Sequence, residues 1–249
     1  MGLNHLFLLI LTDGSYEMSK ISEMPIRIVT ATKMRQENFL QYSLTGKSIK
    51  SFFKTSEAQV RLYAENSKGL SEVYNKAIDE ALGTEAILVF MHDDVLIADY
   101  FWADRVRTGL QNFDIVGIAG NSRRIPGQPM WSVLNMEWKL EDKCYLSGAI
   151  GQGVKFPPEK FDVFGPPGVE CKLLDGVFLA TTTSALKKSK LRFDPSFTFH
   201  FYDLDFCRSA EKAGLTMGTI PLSLVHASGG QVDSIWKDAY DLYINKWGH

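Results

Sequence analysis

The sequence predicts an α/β protein with a mostly parallel central sheet flanked by helices. Over the first 120 residues, short β-branched and apolar runs alternate with segments of helical periodicity, a pattern typical of βαβ units. The run at 86–91 contains no polar residue and ends abruptly in His92, Asp93 and Asp94, as expected of a central strand buried on both faces. Ligands bind such sheets beyond the carboxyl ends of the strands, so this acidic segment lies where a site is expected.

The first half of the chain supplies the elements of this sheet in order. Residues 26–32 form a β-branched run and predict the first strand. Phe39, Leu40 and Leu44 recur at helical spacing and predict a helix over 36–48. The later elements are predicted as strand 60–64, a polar turn at 65–69, a helix from about 70 to 81, strand 86–91, helix 100–110 and strand 115–119.

The second half has a different texture. Residues 121–168 are rich in glycine, proline and aromatic residues without periodicity, and we expect loops and short antiparallel strands that cover one face of the sheet. A strand, or a turn entering one, is predicted at 173–180. The remaining predictions are helix 201–213 ended by Gly214, strand 216–222, the stretch 225–230 and a closing helix over 233–245.

Charge and cysteine usage limit the function classes. A net charge of -2 leaves no broad basic surface, so no nucleic-acid partner is expected and membrane contact is not indicated. Three widely spaced cysteines fit a reducing compartment better than a disulfide framework, and they form no paired zinc motif. We therefore expect a cytoplasmic protein.

The N-terminus, residues 1–24, is predicted to be an extension of uncertain role. Its apolar run at 6–11 is much shorter than the about 20 residues that span a bilayer. It also lacks the basic segment and cleavage site of a signal peptide. With no repeat or linker in the remaining sequence, residues 25–249 are expected to form a single domain.

Asp93 and Asp94 are the first candidates for chemistry. Adjacent carboxylates after a buried strand repel each other, and a divalent cation with oxygen ligands would relieve that repulsion. One carboxylate could instead act as a general base. The structural alternative is a helix N-cap, since a helix follows within a few residues. Receiver domains also place acids at strand ends, but they are much shorter than this chain.

Two later segments add to this pattern. Asp203 and Asp205 precede a helix beside the aromatic residues Phe197, Phe199, Phe201 and Tyr202, which would wall a pocket. Helix capping explains one of these aspartates more easily than two, and Asp205 is expected to hold Asp203 or the loop. His226 follows an apolar strand and precedes two glycines that permit close backbone approach, although a lone histidine is more often structural.

Taken in order along residues 26–230, these segments resemble family 2 glycosyltransferases of the GT-A fold. No single motif is specific, but the order is. The matching segments are Thr30-Ala31-Thr32, Asn66 with Gly69 and Tyr74-Asn75-Lys76-Ala77-Ile78, Phe90-Met91-His92-Asp93-Asp94 in place of the Asp-x-Asp motif, Asp175-Gly176-Val177-Phe178, Phe193-Asp194 with Tyr202-Asp203-Leu204-Asp205, and Val225-His226.

The resemblance implies an inverting transfer of a sugar from a nucleotide-diphosphate sugar to a hydroxyl of a glycan or other acceptor, as in polysaccharide biosynthesis. It implies a Rossmann-like, nucleotide-binding half at about 25–120 and an acceptor-binding half at about 121–249. Asp94 and His226 would bind Mn²⁺ or Mg²⁺, with imidazole favouring Mn²⁺, and Asp203 would be the catalytic base. Donor-binding candidates are Thr30, Thr32, Glu65, Asn66, Asn75, His92 and Asp93. Acceptor-binding candidates are Trp131, Asp175, Gly176 and Tyr202.

Several positions depart from the family pattern. His92 replaces the first acid of Asp-x-Asp, so Asp93 is a candidate for its contact, and Tyr202 stands where many members have glutamate. The acidic segment that usually follows the second strand is missing, which weakens the case for a uridine nucleotide. Trp131 and Trp138 are candidates for stacking on sugars or for burial in a small hairpin. Arg123 and Arg124 are candidates for phosphate contact or for a solvated loop.

The sequence is also compatible with two other functions. One is a nucleotidyltransferase of related fold, but that class needs a glycine-rich loop after the first strand, and residues 32–35 contain no glycine. The other is a non-catalytic GT-A-like module that binds a glycan or nucleotide, with which the substitution at His92 is compatible.

Overall fold

The computed structural model describes residues 20–52, 58–230 and 232–248. Most of the predicted N-terminal extension, residues 1–19, lies outside the described residues, and residues 20–23 are helical. The strands are β1 (Ile26–Ala31), β2 (Ala58–Tyr63), β3 (Ile87–Met91), β4 (Val95–Ile97), β5 (Ile115–Gly117), β6 (Ala119–Asn121), β7 (Leu146–Gln152), β8 (Lys160–Gly165), β9 (Leu173–Leu174), β10 (Phe178–Thr182), β11 (Met217–Thr219) and β12 (Leu224–His226). The α-helices are α1 (Gln36–Tyr42), α2 (Leu44–Phe52), α3 (Leu70–Ala81), α4 (Trp102–Leu110), α5 (Thr183–Ser189), α6 (Tyr202–Lys212) and α7 (Ser234–Trp247).

The main sheet confirms the predicted fold class. Its strand order is β11-β5-β10-β3-β1-β2. Strands β3, β1 and β2 are mutually parallel, and β5 and β11 are parallel to each other. Strand β10 runs antiparallel between β3 and β5, and this reversal was not predicted. All five residues of β3 are buried, in agreement with its purely apolar sequence.

A second sheet has the order β4-β12-β7-β6-β9, and β8 pairs with β7. The antiparallel pair of β7 and β8 provides the short strands predicted within 121–168. The predicted strand at 115–119 is wrong as one element, because β5 belongs to the first sheet and β6 to the second. The segment 173–180, predicted as a strand or a turn entering one, contains β9, a turn at Asp175, Gly176 and Val177, and the start of β10.

The helix predicted over 36–48 is two helices. At Ser43 the backbone is extended, with ψ at 153°, and its hydroxyl donates to the carbonyl of Phe39 while accepting from the amide of Gly46. A Cβ at position 46 would lie 2.8 Å from Cα of Leu40, so glycine permits α1 and α2 to pack closely at this bend.

Helix α6 begins and ends close to its predicted limits, and Gly214 adopts φ of +77° beyond it. The residue before it, Phe201, is buried and has φ of +61°, a strained backbone conformation for a non-glycine residue. Its ring packs against the rings of Trp236, Tyr240 and Tyr243 in α7. The closing helix therefore stabilises the turn that presents the start of α6.

Asp205 joins α6 to the end of α7, whereas the sequence predicted that it would hold Asp203 or the loop. Its buried carboxylate accepts from Nε1 of Trp247 at 2.7 Å and pairs with Nζ of Lys246 at 2.7 Å.

Among the described residues, none of the helices is both long and apolar enough for a bilayer span. All three cysteines are free thiols.

Candidate metal centre and active site

A cluster of three potential metal ligands lies beyond the carboxyl end of β3. His92 and Asp94 belong to the turn between β3 and β4, and His226 is the last residue of β12. The antiparallel register of β12 with β4 sets His226 opposite Val95, next to Asp94. One ligand atom from each of His92, Asp94 and His226 lies within 4.8 Å of the others. Strand pairing thus completes a cluster whose parts are far apart in the sequence.

The distances within the cluster differ. Nε2 of His226 lies 3.3 Å from Oδ1 of Asp94, and Nδ1 of His92 lies 3.9 Å from the same oxygen. The hydroxyl of Ser228 is 3.1 Å from Nε2 of His226. The side chains are only 13% to 30% exposed, and those of His92 and His226 border a cavity that Asp94 does not line.

Proton affinities in the cluster follow from these contacts. Burial raises the pKa of Asp94, but the hydrogen bond and charge of His226 outweigh it and bring that pKa to about 2. Burial disfavours charge on His226, yet its hydrogen bond to Asp94 leaves its pKa above the usual value. The pKa of His92 is lowered by burial and by the nearby charge of His226. The pairing of Asp94 with His226 therefore favours the charged forms of both groups, whereas the surroundings of His92 favour its neutral form.

Asp203 is the second residue of α6. It borders the cavity that His92 and His226 also border. Its Oδ2 accepts from the amide of Gly176 at 2.9 Å, and its Oδ1 accepts from the amide of Leu204 at 2.9 Å. Burial, followed by the negative charge of Asp175, raises the pKa of Asp203 to about 7. A carboxyl group with this pKa can accept a proton near neutral pH.

The cavity has a volume of about 530 Å³ and combines polar groups with aromatic walls. It is bordered by all four residues predicted to bind an acceptor: Trp131, Asp175, Gly176 and Tyr202. Three of the four aromatic residues expected to wall a pocket also border it, namely Phe199, Phe201 and Tyr202. Phe197 is fully buried instead.

Asp175 is held by neighbours on both carboxylate oxygens. Nε1 of Trp131 donates to Oδ2 at 2.8 Å, and the amide of Val177 donates to Oδ1 at 2.8 Å. The ring of Trp131 is largely buried and meets the ring of Phe164 edge-on at 4.7 Å. The indole therefore orients an acid in the cavity wall, and its ring faces are largely taken up by packing.

Tyr202 is buried, and its hydroxyl has two partners. It donates to the carbonyl of Gly176 at 2.8 Å and lies 2.8 Å from Nε2 of His92. The ring of His92 also stacks on the exposed ring of Phe199, with centroids 6.0 Å apart. Tyr202 therefore contacts the metal-ligand cluster directly.

The donor-binding candidates are more dispersed. His92 borders the cavity, whereas Thr30, Thr32, Glu65, Asn66, Asn75 and Asp93 are not among the residues that line it. Thr30 is buried, and its hydroxyl has no hydrogen-bond partner within the described part of the chain. The hydroxyl of Thr32 accepts from the amide of Met34 at 3.1 Å. These two threonines lie around the carboxyl end of β1.

Two asparagines of this set make structural hydrogen bonds. The side chain of Asn75 donates to the carbonyl of Phe193 at 2.7 Å and accepts from its amide at 3.0 Å. Asn66 bonds the carbonyl and amide of Lys68 and shapes the turn before α3. Glu65 opens that turn with φ of +50°. Asn75 thus connects α3 to the segment before α6. A sequence motif alone does not reveal this contact.

Both arginines of the adjacent pair at 123 and 124 form ion pairs with glutamates. Arg123 makes a bidentate contact with the buried carboxylate of Glu141 and lies over the ring of Tyr145. Arg124 pairs with Glu211 at 2.8 Å. Trp138 packs against Trp236 and stays 45% exposed.

Some cavity residues were not predicted from the sequence. His200 borders the cavity, and its Nε2 lies 3.9 Å from Asp233 at the start of α7. Ser228, Gln152 and Trp236 border it as well. They come from segments without a recognisable motif. The only available signal was the proximity of His200 to the Tyr-Asp-Leu-Asp segment and of Ser228 to His226.

Comparison with known proteins supports the fold. No family model and no curated protein matches the sequence. A solved structure described as "Crystal structure of GalNAc-T7 with UDP, GalNAc and Mn2+" aligns with a TM-score of 0.55 and 9% identity, covering 90% of this chain and 49% of that one. The chain thus spans about half the length of that glycosyltransferase. A second structure, A197 from STIV, aligns with a TM-score of 0.47 and 12% identity, covering 84% of this chain and 87% of that one. The chain shares a GT-A-like α/β fold with the first of these structures.

Proposed function

We propose that the protein is a metal-assisted glycosyltransferase that moves a sugar from a nucleotide-diphosphate sugar to an acceptor hydroxyl with inversion. One observation carries the proposal: Asp203, with its raised pKa, borders the same cavity as His92 and His226 of the three-ligand cluster. A proton acceptor and a cation site on one cavity are the two parts that this reaction needs. The GT-A-like fold supports the proposal.

The donor set fits a divalent cation. Two imidazoles and one carboxylate converge, and the charge of Asp94 is retained far below neutral pH. Nitrogen ligands favour Mn²⁺ over Mg²⁺, so Nδ1 of His92, Oδ1 of Asp94 and Nε2 of His226 would hold Mn²⁺. A cation bound there would neutralise the charge that develops on the departing nucleoside diphosphate.

Asp203 would serve as the general base. The acceptor oxygen forms a bond to the anomeric carbon while the bond from that carbon to the diphosphate oxygen breaks, and the electron pair leaves with the diphosphate. Asp203 takes the proton of the attacking hydroxyl. The two amides that bond its oxygens hold the carboxylate in one orientation, which lowers the cost of aligning it with the acceptor. Attack opposite the leaving group inverts the configuration, through a transition state with oxocarbenium character.

The cavity wall suits a sugar acceptor. Asp175 presents a carboxylate that can accept from sugar hydroxyls, and the exposed ring of Phe199 offers an apolar face. Gly176 and Tyr202 shape the wall beside the base. On the donor side, we propose that Thr30, Thr32, Glu65, Asn66 and Asp93 approach the nucleotide near the carboxyl ends of β1 and β2, where nucleotides bind in sheets of this kind.

A thermal-shift screen of nucleoside diphosphates and nucleotide sugars, with Mn²⁺, with Mg²⁺ and without metal, tests this function. A ligand that binds only the folded state raises the melting temperature. We expect a shift for one nucleotide that requires a divalent cation and is larger with Mn²⁺, followed by Mn²⁺-dependent release of free sugar from the matching donor. Binding without any turnover would favour a non-catalytic module. Pyrophosphate formation from a nucleoside triphosphate and a sugar phosphate would favour a nucleotidyltransferase.

A further inference from the structure

We propose that Tyr202 is a positioning residue that fixes the tautomer of His92. His92 can then bind the proposed cation as its third protein ligand, beside Asp94 and His226. This inference rests on the proposed metal-assisted function. It deepens that function, because it assigns to Tyr202 and His92 parts that the acceptor-binding and donor-binding predictions did not contain.

The hydrogen bonds determine the tautomer. A tyrosine hydroxyl carries one proton, and that of Tyr202 is donated to the carbonyl of Gly176, which can only accept. The hydroxyl oxygen and Nε2 of His92 are 2.8 Å apart. The hydrogen between them must then belong to the imidazole, which donates it to the hydroxyl oxygen. With its proton on Nε2, a neutral imidazole has its lone pair on Nδ1. That nitrogen is the one that lies 3.9 Å from Oδ1 of Asp94, so the lone pair faces the cluster.

This arrangement is the usual support of a metal-bound histidine. Such a ring donates its distal N–H to an oxygen, which sets both its tautomer and its orientation. Here the oxygen belongs to a buried phenol that is itself held by a backbone carbonyl. The ring of His92 is also supported by stacking on Phe199. The histidine is therefore oriented before a cation binds.

Both residues are positions at which the chain departs from the pattern it resembles. His92 stands in place of the first acid of Asp-x-Asp, and Tyr202 stands where glutamate is common. In the structure these two substitutions contact each other. This contact gives the imidazole at position 92 a fixed hydrogen-bond partner.

Gly176 extends this contact to the proposed base. Its carbonyl accepts from Tyr202, and its amide donates to Asp203. A Cβ at position 176 would lie 2.7 Å from Cζ of Tyr202 and 2.8 Å from Cβ of Asp203, so only glycine allows both side chains to approach this peptide. One backbone segment thus orients both the metal ligand and the base.

The test compares Tyr202→Phe with Tyr243→Phe, which removes a hydroxyl from an equally buried tyrosine outside the cluster. Mn²⁺ affinity is measured in the full-length protein by electron paramagnetic resonance of the free ion. We expect Tyr202→Phe to weaken Mn²⁺ binding by roughly 10-fold to 100-fold and Tyr243→Phe to leave it unchanged. Equal affinity of Tyr202→Phe and the wild type would overturn this inference while leaving the metal-assisted function intact. Absence of Mn²⁺ binding by the wild type would overturn the metal assignment, and this inference with it.

A second measurement covers the case in which Tyr202→Phe does not fold. Long-range ¹H–¹⁵N correlation spectra of the histidine rings in the metal-free wild type report the tautomer directly. We expect His92, identified from the spectrum of His92→Gln, to carry its proton on Nε2. A proton on Nδ1 would contradict the proposal whatever the behaviour of the variant.

Discussion

Nε2 of His226 lies 3.3 Å from Oδ1 of Asp94, and this pairing favours the protonated imidazole and the ionised carboxylate at the position where we propose that a cation binds. Their pKa values move in opposite directions, up for His226 and down to about 2 for Asp94. A cation that binds there has to displace the proton.

Protons and Mn²⁺ should compete for His226 and Asp94. Because the pKa of His226 is raised above 6.5, Mn²⁺ affinity should fall as the pH drops through that pKa, by about tenfold per pH unit below it. Calorimetric titration in buffers of different ionisation enthalpy, between pH 6 and 8, should record proton release on binding. Affinity that does not change over this range would contradict the His226 assignment.

Stability of the metal-free protein should follow the same pair. The raised pKa of His226 contributes stability that is present below about pH 6.5 and is lost as the pH rises through the folded-state pKa. The lowered pKa of Asp94 contributes stability that is present above about pH 4 and is lost as the pH falls towards 2. In His226→Gln, melting temperatures from pH 4 to 8 should therefore differ most from those of the wild type between pH 4 and 6.5. A difference that grows above pH 7 would have the wrong sign.

Asp203 should act on transfer and not on donor binding. Asp203→Asn removes the proton acceptor, so we expect kcat to fall by roughly 10²-fold to 10⁴-fold while the Mn²⁺-dependent dissociation constant of the donor stays nearly the same. Asp205→Asn is the matched control, since it disturbs the contact with Lys246 and Trp247. It should cost about 1–3 kcal/mol of stability and retain activity at a temperature where the protein is folded. Equal loss of donor binding and of transfer in Asp203→Asn would argue against a base.

The pH profile should report the environment of Asp203. A base must be deprotonated, so kcat/KM should rise as the pH increases through about 7. Since the charge of Asp175 contributes to the raised pKa after burial, Asp175→Asn should move the midpoint of this rise to lower pH. Rates across pH 5 to 9 at saturating Mn²⁺ provide the measurement. A midpoint that moves upward in the variant would refute the electrostatic role of Asp175.

Gly176 should tolerate no side chain. Gly176→Ala would place Cβ against Tyr202 and Asp203, and we expect about 1–3 kcal/mol of destabilisation with weaker Mn²⁺ binding. Gly83→Ala is the control, because a Cβ there meets nothing within 4 Å and φ at that position is not positive. Denaturant unfolding measures the stability of both variants, and Mn²⁺ titration measures their affinity for the cation. Wild-type behaviour of Gly176→Ala in both assays would be incompatible with the described packing.

Local sequence patterns were sufficient to predict most strands of the main sheet. An apolar run such as 87–91 is buried wherever it packs, so its pattern predicts a central strand before any partner is known. Helix α6 was equally predictable, because helical periodicity and a terminal glycine are properties of one short segment. The division at Ser43 was not, since it depends on the approach of Gly46 to Leu40.

By itself, the sequence determined the α/β class, the order of the main elements, and the positions of Asp94, Asp203 and His226 at the ends of elements. Only the tertiary structure decided the antiparallel direction of β10, the assignment of β5 and β6 to different sheets, and the contact between His92 and Tyr202. These features depend on which distant segments pair, and the free energy of pairing comes from burial and hydrogen bonds that form only when both partners are in place. The propensities of the individual segments do not specify which distant segment each one pairs with.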